Sequence, residues 1–223
     1  MTAIQDTDER PRPGGRSTGR LPRSARRNQL LGAAQEVFVA QGYHAAAMDD
    51  IAERAGVSKP VLYQHFPGKL ELYLALLDKH CDALVEAIRA ALEATTDNKQ
   101  RVAATTEAYF TYVASESGAF RLVFESDLTN EEAVKERVER VTRETATLVS
   151  KVIAEDTDLP EEAAMLLAVG VCGACQVTAR YWLAESGDIP RDEAVRLVSS
   201  LSWRGLKGFP MHPREGQPGQ QAD

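Results

Sequence analysis

Apolar side chains return at helical spacing through most of this chain. The longest such pattern covers residues 69–94, with apolar positions at 70, 73, 74, 77, 81, 84, 85, 88 and 92, and predicts one long amphipathic helix. Upstream, residues 24–41 place Leu30, Ala34, Val37 and Phe38 on one face and end at Gly42, a residue that stops helices. Downstream, Asp97-Asn98 interrupts the pattern, and Val102, Thr106, Tyr109, Phe110 and Val113 mark a fifth helix. Ser117-Gly118 then leads into a short sixth carrying Phe120, Leu122, Val123 and Phe124. A seventh is expected over 130–154, with Val134, Val138, Val141, Leu148 and Val152 aligned. Two similar helix starts follow, 158–163 and 188–194, each with a proline near the first position and acids that complement the helix dipole. The eighth helix, to about Glu185, is apolar nearly all round and should be buried on several sides. The ninth should bury Ala194, Leu197, Val198 and Leu201. Together these patterns predict an all-α protein of about nine helices.

The stretch from Ile51 to Lys69 has a different character. Ile51, Ala52 and Ala55 form a small apolar face, and Gly56 follows where a helix must stop and a left-handed backbone costs little. Val57 can fill the angle to the next helix. Ser58 is a suitable N-cap, Pro60 lies in the first turn, where a missing N–H costs least, and Pro67-Gly68 ends the helix after barely two turns. So short a helix must be held by its neighbours. Leu62 and Phe66 can point at them, leaving Lys59, Pro60, Val61, Tyr63, Gln64 and His65 on the remaining, mostly outward face. A cation, an amide, an imidazole, a phenol and small apolar groups suit phosphates and base edges in a major groove. The whole is the pattern of a helix-turn-helix.

These residues and their flanks resemble the DNA-binding domain of the TetR family of bacterial transcriptional regulators. The matches are Leu30, Leu31, Ala33, Ala34 and Phe38, Gly42-Tyr43, Met48, Ile51, Ala52, Ala55 to Ser58, Leu62-Tyr63, His65-Phe66 and Lys69. The chain departs from the family at Ala47, where a threonine cap is common; Tyr43, His44 and the peptide groups near Met48 are the candidates to compensate at a helix N-terminus. Beyond this domain the likeness is one of architecture. It implies a helical body that binds an inducer and two final helices that pair with their symmetry mates in a four-helix bundle.

Charge sharpens the division. Residues 1–70 hold 10 basic and 7 acidic side chains, whereas the remainder holds 16 and 26. The expected domains are a disordered basic arm at 1–22, the helix-turn-helix unit at 23–69, a helical effector-binding and dimerisation body at 70–208, and a disordered tail at 209–223. From Arg10 to Arg27 the arm and its continuation hold seven arginines and no acid, enough to track phosphates or enter a minor groove; a merely solvated tail is the other reading. Three cysteines fit a reducing cytoplasm. No signal peptide is visible, and the apolar run 163–179 falls short of a membrane span, so no membrane partner is expected.

Little other chemistry is legible. Cys172 and Cys175 have redox spacing but lie inside an apolar helix, where packing is their expected role. The four histidines lack ligand spacing, and no glycine-rich phosphate loop or nucleophile elbow occurs, so no metal, cofactor or catalytic residue is expected. Tyr109, Phe110, Tyr112, Phe120, Phe124, Gln176, Tyr181 and Trp182 are candidates to line an effector pocket, though ordinary core is the alternative for each.

The reading is a sequence-specific dimeric regulator, not an enzyme. A single short recognition helix reads only a few base pairs, so two, spaced by a dimer, must read a palindromic operator in double-stranded DNA. Lys59, Val61 and Gln64 are expected at base edges and Pro60 at a thymine methyl, with Tyr63, His65 and Lys69 on phosphates; Tyr43, Met48 and Ser58 complete the candidate DNA-binding set. The homodimer should form through the helices at about 160–186 and 190–208, and an unidentified small-molecule effector should relieve repression through the 69–94 helix. A thiol redox protein and a DNA-binding protein without an effector are the rivals.

Overall fold

The computed structural model describes residues 21–115, 128, 131–185 and 188–205. Among them are eight helices and no strand: α1 (Arg23–Ala45), α2 (Met48–Arg54), α3 (Lys59–His65), α4 (Lys69–Glu93), α5 (Asn98–Val113), α6 (Glu132–Asp156), α7 (Glu161–Glu185) and α8 (Arg191–Arg204). The short helix expected to carry Phe120 and Phe124 lies outside the described residues, as do nearly all of the expected arm and the expected tail.

Local signals place the first three helices. Gly42 breaks α1 with φ 76°, and a last turn follows to Ala45. Gly56 ends α2 at φ 64°, where the Gly56 N–H bonds the Glu53 carbonyl and the Val57 N–H bonds the Ala52 carbonyl, the paired closure that a left-handed residue permits. Ser58 stands at the N-cap of α3 with extended backbone, but its hydroxyl makes no capping bond, contrary to expectation. Ala47, at the start of α2, makes none either. The unit is held by its core instead. Leu30, Ala34, Ile51 and Leu62 are fully buried, Phe38 and Phe66 nearly so, and each large side chain contributes about 1.5–3 kcal/mol. Gln29 of α1 adds a side-chain bond to the Ala55 carbonyl at 2.8 Å, tying down the end of α2.

Helix α4 belongs to both halves. Its first turns pack Tyr73 edge-on against Phe38 and Tyr43, and His80 meets Gln35 of α1 at 3.0 Å. On α6, Arg137 forms an ion pair with Asp78 at 3.0 Å, while Arg140 reaches Asp78 at 3.2 Å and Asp82 at 3.0 Å. Arg101 of α5 closes the far end of α4 by donating to the Leu92 and Thr95 carbonyls.

The two last helices correct the sequence reading. Within one protomer α7 buries only Ala164, Ala168 and Ala179, and leaves Leu166 73%, Val177 65% and Tyr181 63% exposed. In α8 only Ala194 is buried, and Leu201 is exposed. The all-round apolarity of α7 therefore reflects one face against α6 and another without a partner in the protomer. By length and composition this 25-residue helix also passes for a membrane span, which the count on residues 163–179 alone missed.

Candidate functional site

Helix α3 presents the face that its sequence implies. Leu62 and Phe66 point inward, and Lys59, Pro60, Tyr63 and Gln64 are exposed beside half-buried Val61 and His65. The Lys59 ammonium pairs with the Asp49 carboxylate of α2 at 2.5 Å, and that bond holds its pKa above the ordinary value. The N-terminal turns of α1 flank the same surface. Arg27 lies over the Phe66 ring, 4.4 Å from its centre. Burial, followed by the charges of Arg23, Arg27 and Arg26, holds the His65 imidazole below its ordinary pKa. The sequence placed these three arginines in one run from the arm to the first helix, but only folding sets them beside α3 as a fixed basic flank.

Three candidates are arranged differently from expectation. Met48 is buried in the core, so the start of α2 offers a phosphate its peptide groups and not this side chain. Tyr43 is half-buried, stacked on Phe38 and packed against Tyr73, and burial holds its phenol above the ordinary pKa, ahead of the Glu131 and Glu71 charges. Lys69 turns inward: its ammonium donates to the carbonyls of Tyr43 at 2.8 Å, Ala46 at 2.9 Å and His44 at 3.2 Å. It pins the turn between α1 and α2 instead of projecting toward a phosphate.

The body holds a cavity of about 430 Å3, within the usual range for small-molecule sites. It lies between α4, α5, α6 and α7, with Trp203 of α8 at its edge. Leu84, Ile88, Val141 and Val149 make much of the wall. Of the expected pocket residues, Tyr109 and Gln176 line it. Phe110 is instead fully buried core, 5.4 Å from the Trp182 ring; Tyr112 and Trp182 pack against the core and do not line the cavity, and Tyr181 is exposed on α7. Phe120 and Phe124 fall outside the described residues.

Cys172 and Cys175 line the cavity too, where the sequence suggested packing alone. Burial pushes their thiols up to about 11 and about 12, so both stay protonated near neutrality and neither has the low pKa of a redox thiol. The threonines were overlooked: Thr105, Thr106, Thr142 and Thr145 all line the cavity. A signal existed, since Thr142 and Thr145 interrupt the apolar stripe of α6 just where a filled core would favour hydrocarbon. Among the described residues no group of acidic, histidine or cysteine side chains is placed to hold a metal.

Comparison with known proteins agrees with this geometry. Residues 30–76 match the family described as bacterial regulatory proteins, tetR family, and residues 87–220 match the tetracyclin repressor-like C-terminal domain. The chain is 47% identical over 210 residues to the HTH-type transcriptional activator FasR of Mycolicibacterium smegmatis, covering 94% of this chain and 96% of that one. Its fold resembles a TetR-like regulator from Rhodococcus sp. RHA1, with a TM-score of 0.68, 28% identity, and coverage of 85% of this chain and 100% of the other. It also resembles FadR from Bacillus subtilis, solved in complex with stearoyl-CoA, with a TM-score of 0.68, 18% identity, and coverage of 80% and 98%. With a helix-turn-helix and a helical body both matched, this chain belongs to the TetR family of DNA-binding transcriptional regulators.

Proposed function

We propose that two copies of this chain bind a palindromic operator and leave it when an apolar effector fills the cavity of the body. The exposed mixed face of α3, propped by fully buried Leu62 and nearly buried Phe66, carries the reading. Lys59, Val61 and Gln64 meet base edges, Pro60 meets a thymine methyl, and Ser58, Tyr63, His65 and the α1 arginines meet phosphates. Lys59 must exchange Asp49 for DNA to do so. The unpartnered apolar face of α7, with α8 beside it, supplies the dimer contact and is the use we assign to a helix that could otherwise pass for a membrane span. Such a protein works where the chromosome is, in the cytoplasm.

The relative named an activator favours activation of the target genes over the repression expected from the sequence. The apolar cavity and the stearoyl-CoA complex of FadR favour an effector with a long apolar chain. Its binding shifts α4 and α6 together, because Arg137 and Arg140 tie α6 to Asp78 and Asp82. Selection of bound sequences from random duplexes, followed by titration of the best site at two salt concentrations, tests the DNA reading. A palindrome bound by two protomers is expected; salt-sensitive binding with no enriched sequence would overturn it.

A further inference from the structure

The cavity is not uniformly apolar, and its hydrogen-bonding groups follow a pattern. Thr105, Thr106, Thr142 and Thr145 each direct the hydroxyl proton to a carbonyl one turn back in their own helix. Toward the cavity they offer methyl groups and oxygen lone pairs, but no donor. Among the described residues Arg101 is the one cation in the lining; its Nε donates to the Leu92 and Thr95 carbonyls, and its Nη1 is engaged by Asn98 and by the Asp156 carboxylate, which balances its charge.

Among the buried and half-buried lining side chains that bear oxygen or nitrogen, two make no hydrogen bond. Gln176 of α7 lines the cavity with a half-buried amide that has no hydrogen-bond partner among the described residues. Tyr109 of α5 contributes to the wall, and its hydroxyl is buried with no partner. An unpaired buried donor costs free energy that a well-placed acceptor returns. Both groups can donate, and neither carries a charge near neutrality.

We infer that the cavity selects a largely apolar molecule whose buried part bears one uncharged acceptor oxygen, such as an ester, thioester, amide or ketone carbonyl, read by Gln176 and Tyr109. The inference rests on the cavity being an effector site and names what that site discriminates. A carbonyl pairs with an amide N–H or a phenol O–H without bringing a charge into an apolar wall. An ionised carboxylate would shed its hydration to face threonines that offer no proton and an arginine already paired with Asp156. A hydrocarbon would leave both donors unpaired.

The test uses the full chain titrated with methyl esters of straight-chain acids of about eight to eighteen carbons, and with the corresponding carboxylates at pH 8, a panel whose span brackets what a pocket of this size class can hold. Tryptophan emission reports binding, because Trp203 lines the cavity. The best ester should bind more tightly than its carboxylate. Gln176→Met and Tyr109→Phe should each weaken ester binding about three- to tenfold, the worth of one hydrogen bond, and leave carboxylate binding unchanged. Carboxylates binding as tightly as esters in the wild-type chain would overturn the inference without relying on any variant folding. So would unchanged ester affinity in both variants. If no ester of any length binds, the effector reading itself falls, and this inference with it.

Discussion

The Lys69 ammonium donates to the Tyr43 carbonyl at 2.8 Å and lies 4.5 Å from the centre of the same residue's ring. With the Ala46 and His44 carbonyls it directs its protons at the turn that precedes α2. The first residue of α4 thus holds the segment that presents the α2 N-terminus. Lys69→Met should destabilise the helix-turn-helix unit by about 2 kcal/mol and weaken DNA binding through that loss. The slope of binding against salt should stay nearly unchanged. A lysine neutralising a phosphate would lower that slope by about one when removed, and such a fall would return Lys69 to the DNA surface.

Gln64 is exposed on α3 with its amide toward solvent, and a bidentate contact to adenine is the role assigned to it. Gln64→Ala should change preference by about 1–3 kcal/mol at one or two base pairs and leave the remaining positions alone. Competition among operator variants that differ at single positions measures this. An equal loss on every sequence would remove Gln64 from base reading.

His80 is buried between α4 and α1, and burial, with a smaller contribution from the Lys79 charge, pushes its pKa from 6.5 down to about 4. Between those values the unfolded chain binds a proton that the native chain refuses, so stability is full above pH 6.5 and falls as acid is added through the window. From pH 7 to 4.5 this amounts to about 2 kcal/mol. His80→Gln should lose about that much less on acidification, as measured by urea unfolding at the two pH values. The same acid loss in both chains would show that His80 is not its source.

Leu166 is 73% exposed in the protomer, on the unpartnered face of α7. Leu166→Glu should change the stability of an isolated protomer by no more than about 0.5 kcal/mol, as surface substitutions do. In a dimer joined by α7 it buries an unpaired charge. Sedimentation should then find monomers, with binding to a palindrome lost. A dimer as tight as wild type would place the interface elsewhere.

The sequence erred mainly on α7 and on the cavity. A helix apolar nearly all round reads as deeply buried, yet periodicity does not distinguish burial within a chain from burial against a second copy. Tyr181, a pocket candidate by its aromatic ring, is exposed on the outer face of α7, whereas Gln176 lines the cavity. The aromatic side chains drew attention as pocket candidates, while much of the wall comes from aliphatic residues and threonines on four helices. No residue type announces a void. A cavity is the space that helices fail to fill, and it depends on how they cross.

By itself the sequence determined the helix-turn-helix: where α2 stops at Gly56, where α3 begins, and that Leu62 and Phe66 face inward while Lys59, Tyr63 and Gln64 face out. Helix starts, stops and faces are set by residues within a turn or two of one another, so a linear reading captures them. Only the tertiary structure decided that Lys69 grips a turn 26 residues upstream, that Met48 is core, and that Cys172 and four threonines join Tyr109 and Gln176 around one cavity. Those relationships are contacts between distant segments, fixed by how the helices pack and not by any one segment's own preferences.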